Sequence, residues 1–166
     1  MWHIAGLVAA AATRYFFNMN MTNATASSPS HSATQGSKGL HIALWVVQVL
    51  LALSFLGAGL MKELTPIDQL AQKMAWVSAT PAALVRFIGI AEIAGALGLI
   101  LPALTRIKPF LTGLAGVGLA TVMVLALGMH LSRGEFPMVG GPVVLGALAA
   151  FVAWGRLKKA PIAPRA

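Results

Sequence analysis

Charge is almost absent from four long stretches of this chain. Residues 40–61 are apolar apart from His41, Gln48 and Ser54, and Lys62 and Glu63 close them. Between Arg86 and Arg106 the one charge is Glu92. Residues 109–129 carry none and end at His130, and none falls between Glu135 and Arg156. Each stretch is about 20 residues long, which at 1.5 Å per residue crosses roughly 30 Å of hydrocarbon. Leu, Ala, Val, Ile and Gly dominate, with no alternation of apolar and polar positions. The pattern therefore predicts helices over about 40–62, 82–104, 109–131 and 137–156 rather than the alternating segments of about ten residues that a membrane β-barrel needs. Short connections make the expected fold an all-α, integral-membrane, up-down four-helix bundle.

The connection between spans 1 and 2 is the long one. Thr65-Pro66-Ile67-Asp68 reads as a helix start, with Thr65 as cap and Pro66 at the first helical position. Ile67, Leu70, Ala71, Met74 and Val77 then fall on one face. This predicts a short amphipathic helix lying in the interface, with Trp76 near headgroup level. Thr80-Pro81 repeats the signal and opens span 2.

Composition agrees with a membrane protein. Of 166 residues, 58% are hydrophobic and only 10% charged, too few charges to cover a water-soluble surface. The absence of cysteine excludes disulfides, thiolate metal sites and CxxC redox chemistry. The net charge of +8 would suit a nucleic-acid binder in a soluble protein, but here no nucleic-acid partner is expected and the basic residues are topogenic. With four spans, the N-terminus, the second connection and the C-terminus share a side. That side holds Arg14, Lys38, Arg106, Lys108, Arg156, Lys158, Lys159 and Arg165; the other holds Lys62, Lys73, Arg86 and Arg133. All four acids (Glu63, Asp68, Glu92, Glu135) fall on the second side or within the membrane. The positive-inside rule then expects both termini in the cytoplasm, with Arg156, Lys158 and Lys159 as an anchor and residues 160–166 as a cytoplasmic tail.

Residues 1–39 differ in kind. Residues 4–12 are apolar but too short to span, and Ser, Thr, Asn and Gly dominate beyond residue 22. The readings that stay open are a disordered tail, a start placed upstream of Met19 or Met21, and a signal peptide without its positive n-region.

Candidate chemistry centres on Glu92, about 15 Å along the second helix. A charge at that depth costs at least roughly 2.5–3.5 kcal/mol, so it should face the bundle and be paired, or be protonated. It acts either as a proton-exchanging or ligand-orienting carboxylate, or as an interhelical bond that locks packing. Ser54, Thr121 and Gln48 are partners by depth or reach, and Lys62 and His130 are partners from other helices. Arg86 lies about 240° around the helix from Glu92 and is not a partner. Lys62, Arg86, Glu92 and His130 belong to one half of the membrane and could line a small polar cavity. Lys62 and Arg86 have the alternative of snorkelling at helix ends, and His130 of sitting at the water interface. No Walker, HExxH or GxSxG motif and no metal-ligand cluster occurs, so no metal and no catalytic residue is assigned.

With these residues in place, the chain resembles the DoxX-like family of small four-helix bacterial membrane proteins over about residues 40–161. The run Arg86-Phe87-Ile88-Gly89-Ile90-Ala91-Glu92 carries most of the likeness, supported by Gly59-Leu60-Met61-Lys62, by His130-Leu131-Ser132-Arg133-Gly134-Glu135 and by residues 42–52, 98–102 and 150–156. The residues matching the family pattern are Lys62, Arg86, Glu92 and His130. The resemblance implies a bacterial inner-membrane location and a link to membrane redox systems, through thiosulfate:quinone oxidoreduction. An accessory subunit contacting a quinone and a membrane or redox partner follows from it. A small-molecule binding or transport protein, with a homodimer for transport, and a structural assembly protein are the alternatives. A self-sufficient enzyme is not favoured, because the chain has no recognisable catalytic motif.

Overall fold

A computed structural model describes residues 38–165. The expectations for residues 1–39 lie outside the described residues, except that Lys38 and Gly39 already belong to the first helix. The elements are α1 (Lys38–Leu64), α2 (Ile67–Lys73), α3 (Ala75–Ser78), α4 (Ala82–Thr105), α5 (Phe110–Ser132), a 3₁₀ turn (Phe136–Met138) and α6 (Gly140–Trp154), which continues into a wide π turn, Gly155–Lys159. Four helical segments are long and apolar enough to cross a membrane: Lys38–Leu64, Ala82–Thr105, Phe110–Ser132 and Phe136–Lys159. The described residues are thus all-α with four candidate spans, and short helical structure lies between spans 1 and 2.

Buried positions follow a heptad rhythm. On α1 they are Leu44, Gln48, Leu51, Ala52, Phe55, Gly59 and Lys62. On α4 they are Val85, Gly89, Glu92, Ala96, Leu99 and Ala103, alternating by four and three. A repeat of 3.5 residues keeps one seam turned toward a neighbour along a whole span. The helices pack antiparallel. α1 lies against α4 and α5 against α6, α4 and α5 join the two pairs, and α6 closes back on α1. Small residues set the separation of α1 and α4: a Cβ on Gly59 would stand 2.8 Å from the carbonyl oxygen of Gly89. In lipid, where apolar side chains gain little from leaving their surroundings, such close backbone contact is a main source of helix association. Leu53, Phe87, Val124 and Leu125 point outward, as lipid-facing residues do.

The connection differs in detail from its expected form. The backbone turns extended at Met74 (φ −132°, ψ 98°) and divides one amphipathic helix into α2 and α3. Neither threonine caps. Pro66 and Pro81 occupy the cap positions and no side chain bonds the first turns; the hydroxyl of Thr80 donates instead to the Trp76 carbonyl at 2.7 Å. The expected apolar face survives: Leu70 and Val77 are buried with Val85, and Ile67, Ala71, Met74 and Trp76 pack around them. This small second core wraps the first turn of α4, which projects past the end of α1.

At the opposite end, Arg106 (φ 58°) and Lys108 (φ 48°) adopt left-handed backbone to make the tight turn between α4 and α5. The segment after the π turn does not leave the protein as a free tail. Ala160 is buried, and the Arg165 amide donates to the Arg106 carbonyl at 3.0 Å, strapping residues 160–165 across the bundle end.

Candidate functional site

Glu92 and Lys62 occupy seam positions where the heptad rhythm would otherwise place apolar residues. Their side chains meet across the α1–α4 interface, Nζ to Oε2 at 2.7 Å, with 7% and 5% of their side chains exposed. The ammonium also approaches the Ala58 carbonyl at 3.5 Å. An ion pair this short, held in a packed seam, is charge-assisted and shielded from water.

Arg86 is not part of this pair. Its guanidinium donates to the carbonyl oxygens of Lys62 and of Thr65, the latter at 3.0 Å. These carbonyls belong to the last turn of α1 and the residue beyond it, where backbone acceptors lose their helical partners, so Arg86 caps α1 from the neighbouring helix. It thereby fixes the backbone of Lys62 one turn from Glu92.

His130, at the end of α5, turns to Glu135 rather than Glu92, with Nδ1 2.7 Å from Oε2. Arg133 Nε donates to the other oxygen of Glu135 at 2.7 Å. Glu135 lies outside the spans. Hydrogen bonds from Arg133 and then His130 hold its carboxyl below the usual carboxylate value. The clasp orders the turn between α5 and α6 and orients the His130 ring.

A cavity of about 420 Å³ lies between α4 and α5, in the half of the bundle that holds the ion pair. Lys62, Glu92 and His130 supply its polar wall; Ile88, Ala91, Met123 and Ala126 are among its apolar lining. Met74 and Trp76 of the connection cover one end. Phe87 and Leu125, 65% and 68% exposed, stand at its rim, so it opens sideways toward lipid. Three of the four residues grouped from the sequence therefore share one cavity, and Arg86 supports it from behind.

The proposed polar partners of Glu92 lie elsewhere. Ser54 and Thr121 face outward and bond carbonyls of their own helices, Leu50 at 2.9 Å and Val117 at 3.0 Å. Gln48 is buried, but in the other half of the bundle, where its amide donates to the Leu99 carbonyl at 2.8 Å. Arg156, expected as a surface anchor, is buried as well. The π turn swings its guanidinium inward, where Nε donates to Gln48 Oε1 at 2.5 Å. Nη1 lies 3.2 Å from His41 Nδ1, and the guanidinium stacks 5.5 Å from the Trp45 ring. Sequence reasoning did not bring this second polar cluster together. Among the described residues no three metal-binding side chains converge.

The profile of the DoxX-like family matches residues 46–152. The chain belongs to that family: it is a DoxX-like multi-pass membrane protein, and the match spans α1 from Val46, all three connections between the spans and α6 to Val152. No curated protein and no solved structure matches the chain.

Proposed function

We propose that this protein binds a lipophilic molecule with a small polar head, of the quinone class, taken from the bilayer through the gap between α4 and α5, and that it serves a membrane redox system as an accessory subunit. The observation that carries this reading is the cavity itself. It is apolar, of a size usual for small-molecule sites, open on the lipid side, and polar only where Lys62, Glu92 and His130 line it. An ammonium suits a carbonyl or hydroxyl head group, the ring nitrogen that His130 does not turn to Glu135 suits a hydroxyl, and a buried carboxylate beside them suits proton exchange. The family's implied connection to quinone chemistry supports the same class of ligand. The excess of Lys and Arg at the α4–α5 turn and around the π turn supports a bacterial cytoplasmic membrane with both termini inside.

The test is purification of the full chain from native membranes in mild detergent, followed by organic extraction and mass spectrometry. A stoichiometric quinone-class lipid that disappears in Ala126→Phe, a variant that fills the cavity, is the expected result. Neither a bound lipophile nor any binding of added quinone would overturn the proposal. One observation favours a purely structural role for the ion pair, namely its place in the α1–α4 seam. In that case Glu92→Gln would lower stability yet retain the ligand.

A further inference from the structure

The groups left free in the polar wall of the lipid-side cavity decide which head group fits there. Lys62 takes Oε2 of Glu92 at 2.7 Å, and Oε1 makes no hydrogen bond among the described residues. Unlike Oε1 of Glu63, which is sealed in the protein, this oxygen stays accessible. An ionised carboxylate has lone pairs only, so Oε1 offers an acceptor and nothing else. His130 offers a second. Its Nδ1 lies 2.7 Å from Oε2 of Glu135, a residue outside the cavity lining. Glu135 is ionised, is held on its other oxygen by Arg133 and can only accept, so Nδ1 carries the ring proton. On the neutral ring Nε2 is then a bare lone pair, accessible and without a partner among the described residues.

Donors border the same space. Lys62 has three N–H bonds, of which Glu92 takes one and the Ala58 carbonyl, at 3.5 Å, approaches another. The Trp76 indole stands at the covered end. These donors do not discriminate, because a carbonyl oxygen and a hydroxyl oxygen both accept. The two acceptors do. A quinone carbonyl would turn its own lone pairs on a carboxylate oxygen and an imidazole lone pair, with Ile88, Ala91, Met123 and Ala126 keeping water from relieving the clash. A hydroxyl supplies the missing hydrogen and still accepts from Lys62.

We infer that the cavity selects a ring bearing hydroxyl groups, the hydroquinone rather than the quinone form of its ligand, with Glu92 Oε1 and His130 Nε2 as the acceptors that a dione leaves unmet. The inference rests on the reading of the cavity as a site for a lipophile of the quinone class, and adds the oxidation state that the site holds. Glu135 is a positioning residue in it. It lies outside the cavity, yet it decides whether the free ring nitrogen of His130 accepts or donates.

The experiment uses the full chain in detergent micelles, in mildly alkaline buffer without oxygen, and isothermal titration calorimetry. Three probes differ only at the oxygens: a decyl-substituted hydroquinone, the matching quinone and the hydroquinone's dimethyl ether. Ala126→Phe, which fills the cavity, corrects for partition into the micelle. The hydroquinone should bind about tenfold or more tighter than the quinone or the ether, the loss expected when a buried acceptor stays unpaired. His130→Phe keeps a flat ring without the lone pair and should cut this preference severalfold by weakening the hydroquinone alone. Glu135→Ala frees Nδ1 and lets the ring proton move to Nε2. It should lower the same ratio with the cavity lining intact, which covers the case in which His130→Phe fails to fold. Equal or tighter binding of the quinone, or a ratio that neither variant moves, would overturn the inference and leave the lipophile site standing. Binding of none of the three probes beyond the Ala126→Phe level would overturn both.

Discussion

Replacing Lys62 and Glu92 by methionine, singly and together, tests the ion pair at its root. At 2.7 Å the attraction is about 6 kcal/mol for an effective dielectric of about 20. Burying the two ions costs several kcal/mol each, so the intact pair contributes a net free energy near zero. A single replacement keeps one desolvation cost and loses the attraction. Lys62→Met or Glu92→Met should therefore destabilise by about 3–5 kcal/mol, while the double variant, apolar and similar in volume, should lie within about 2 kcal/mol of wild type or above it. The measurement is equilibrium unfolding in mixed micelles with rising dodecyl sulfate, read by tryptophan fluorescence. The coupling energy comes from the double-mutant cycle. Single variants that each cost under about 1 kcal/mol and simply add would refute the placement of this pair in a water-excluded seam.

Further outcomes follow from the same geometry. Gly59→Ala and Gly116→Ala, whose new Cβ atoms would stand 2.8 Å and 2.9 Å from backbone oxygens, should each cost about 1–3 kcal/mol, whereas Gly57→Ala and Gly118→Ala, which meet nothing within 4 Å, should be neutral or slightly stabilising by the same unfolding assay. Removing the guanidinium in Arg86→Ala should cost about 1.5–3 kcal/mol by uncapping α1, and hydrogen exchange should show the last turn of α1 opening first. The carboxyl of Glu135 is held low when folded, so its contribution is fully present above its ordinary value of 4.5 and declines as the pH falls through the lower folded value. The difference in unfolding temperature between wild type and Glu135→Gln should thus be constant near neutrality and shrink below about pH 4.5; a difference that grows on acidification would contradict the clasp.

The spans were legible because hydrocarbon thickness imposes a length that charges such as Lys62 and Arg106 punctuate plainly. Which way each helix faces was far less legible. Core and lipid are equally apolar, so Ser54 and Thr121 resemble interior polar groups, yet each satisfies its hydroxyl on its own helix and turns outward. Glu92 stood out because no exposed position in lipid accepts a carboxylate, and its partner had to come from another helix. The cavity left no local mark, since it depends on which residues of separate helices, Ala91 of α4 and Ala126 of α5 among them, come to line one space. Arg156 was misleading for a definite reason. Arg-Leu-Lys-Lys has the composition of an interfacial anchor, and only the widening of the backbone over Gly155–Lys159 turns its first residue inward.

The strap formed by residues 160–165 has a practical bearing on mapping which side of the membrane each end occupies. Because the Arg165 amide closes onto Arg106, Arg165 itself lies beside the α4–α5 corner. A reporter fused there and one inserted at that corner would sample a single patch of the surface. Agreement between them would count as one observation of sidedness, and an independent second reading would have to come from the far loops near Lys73 or Gly134.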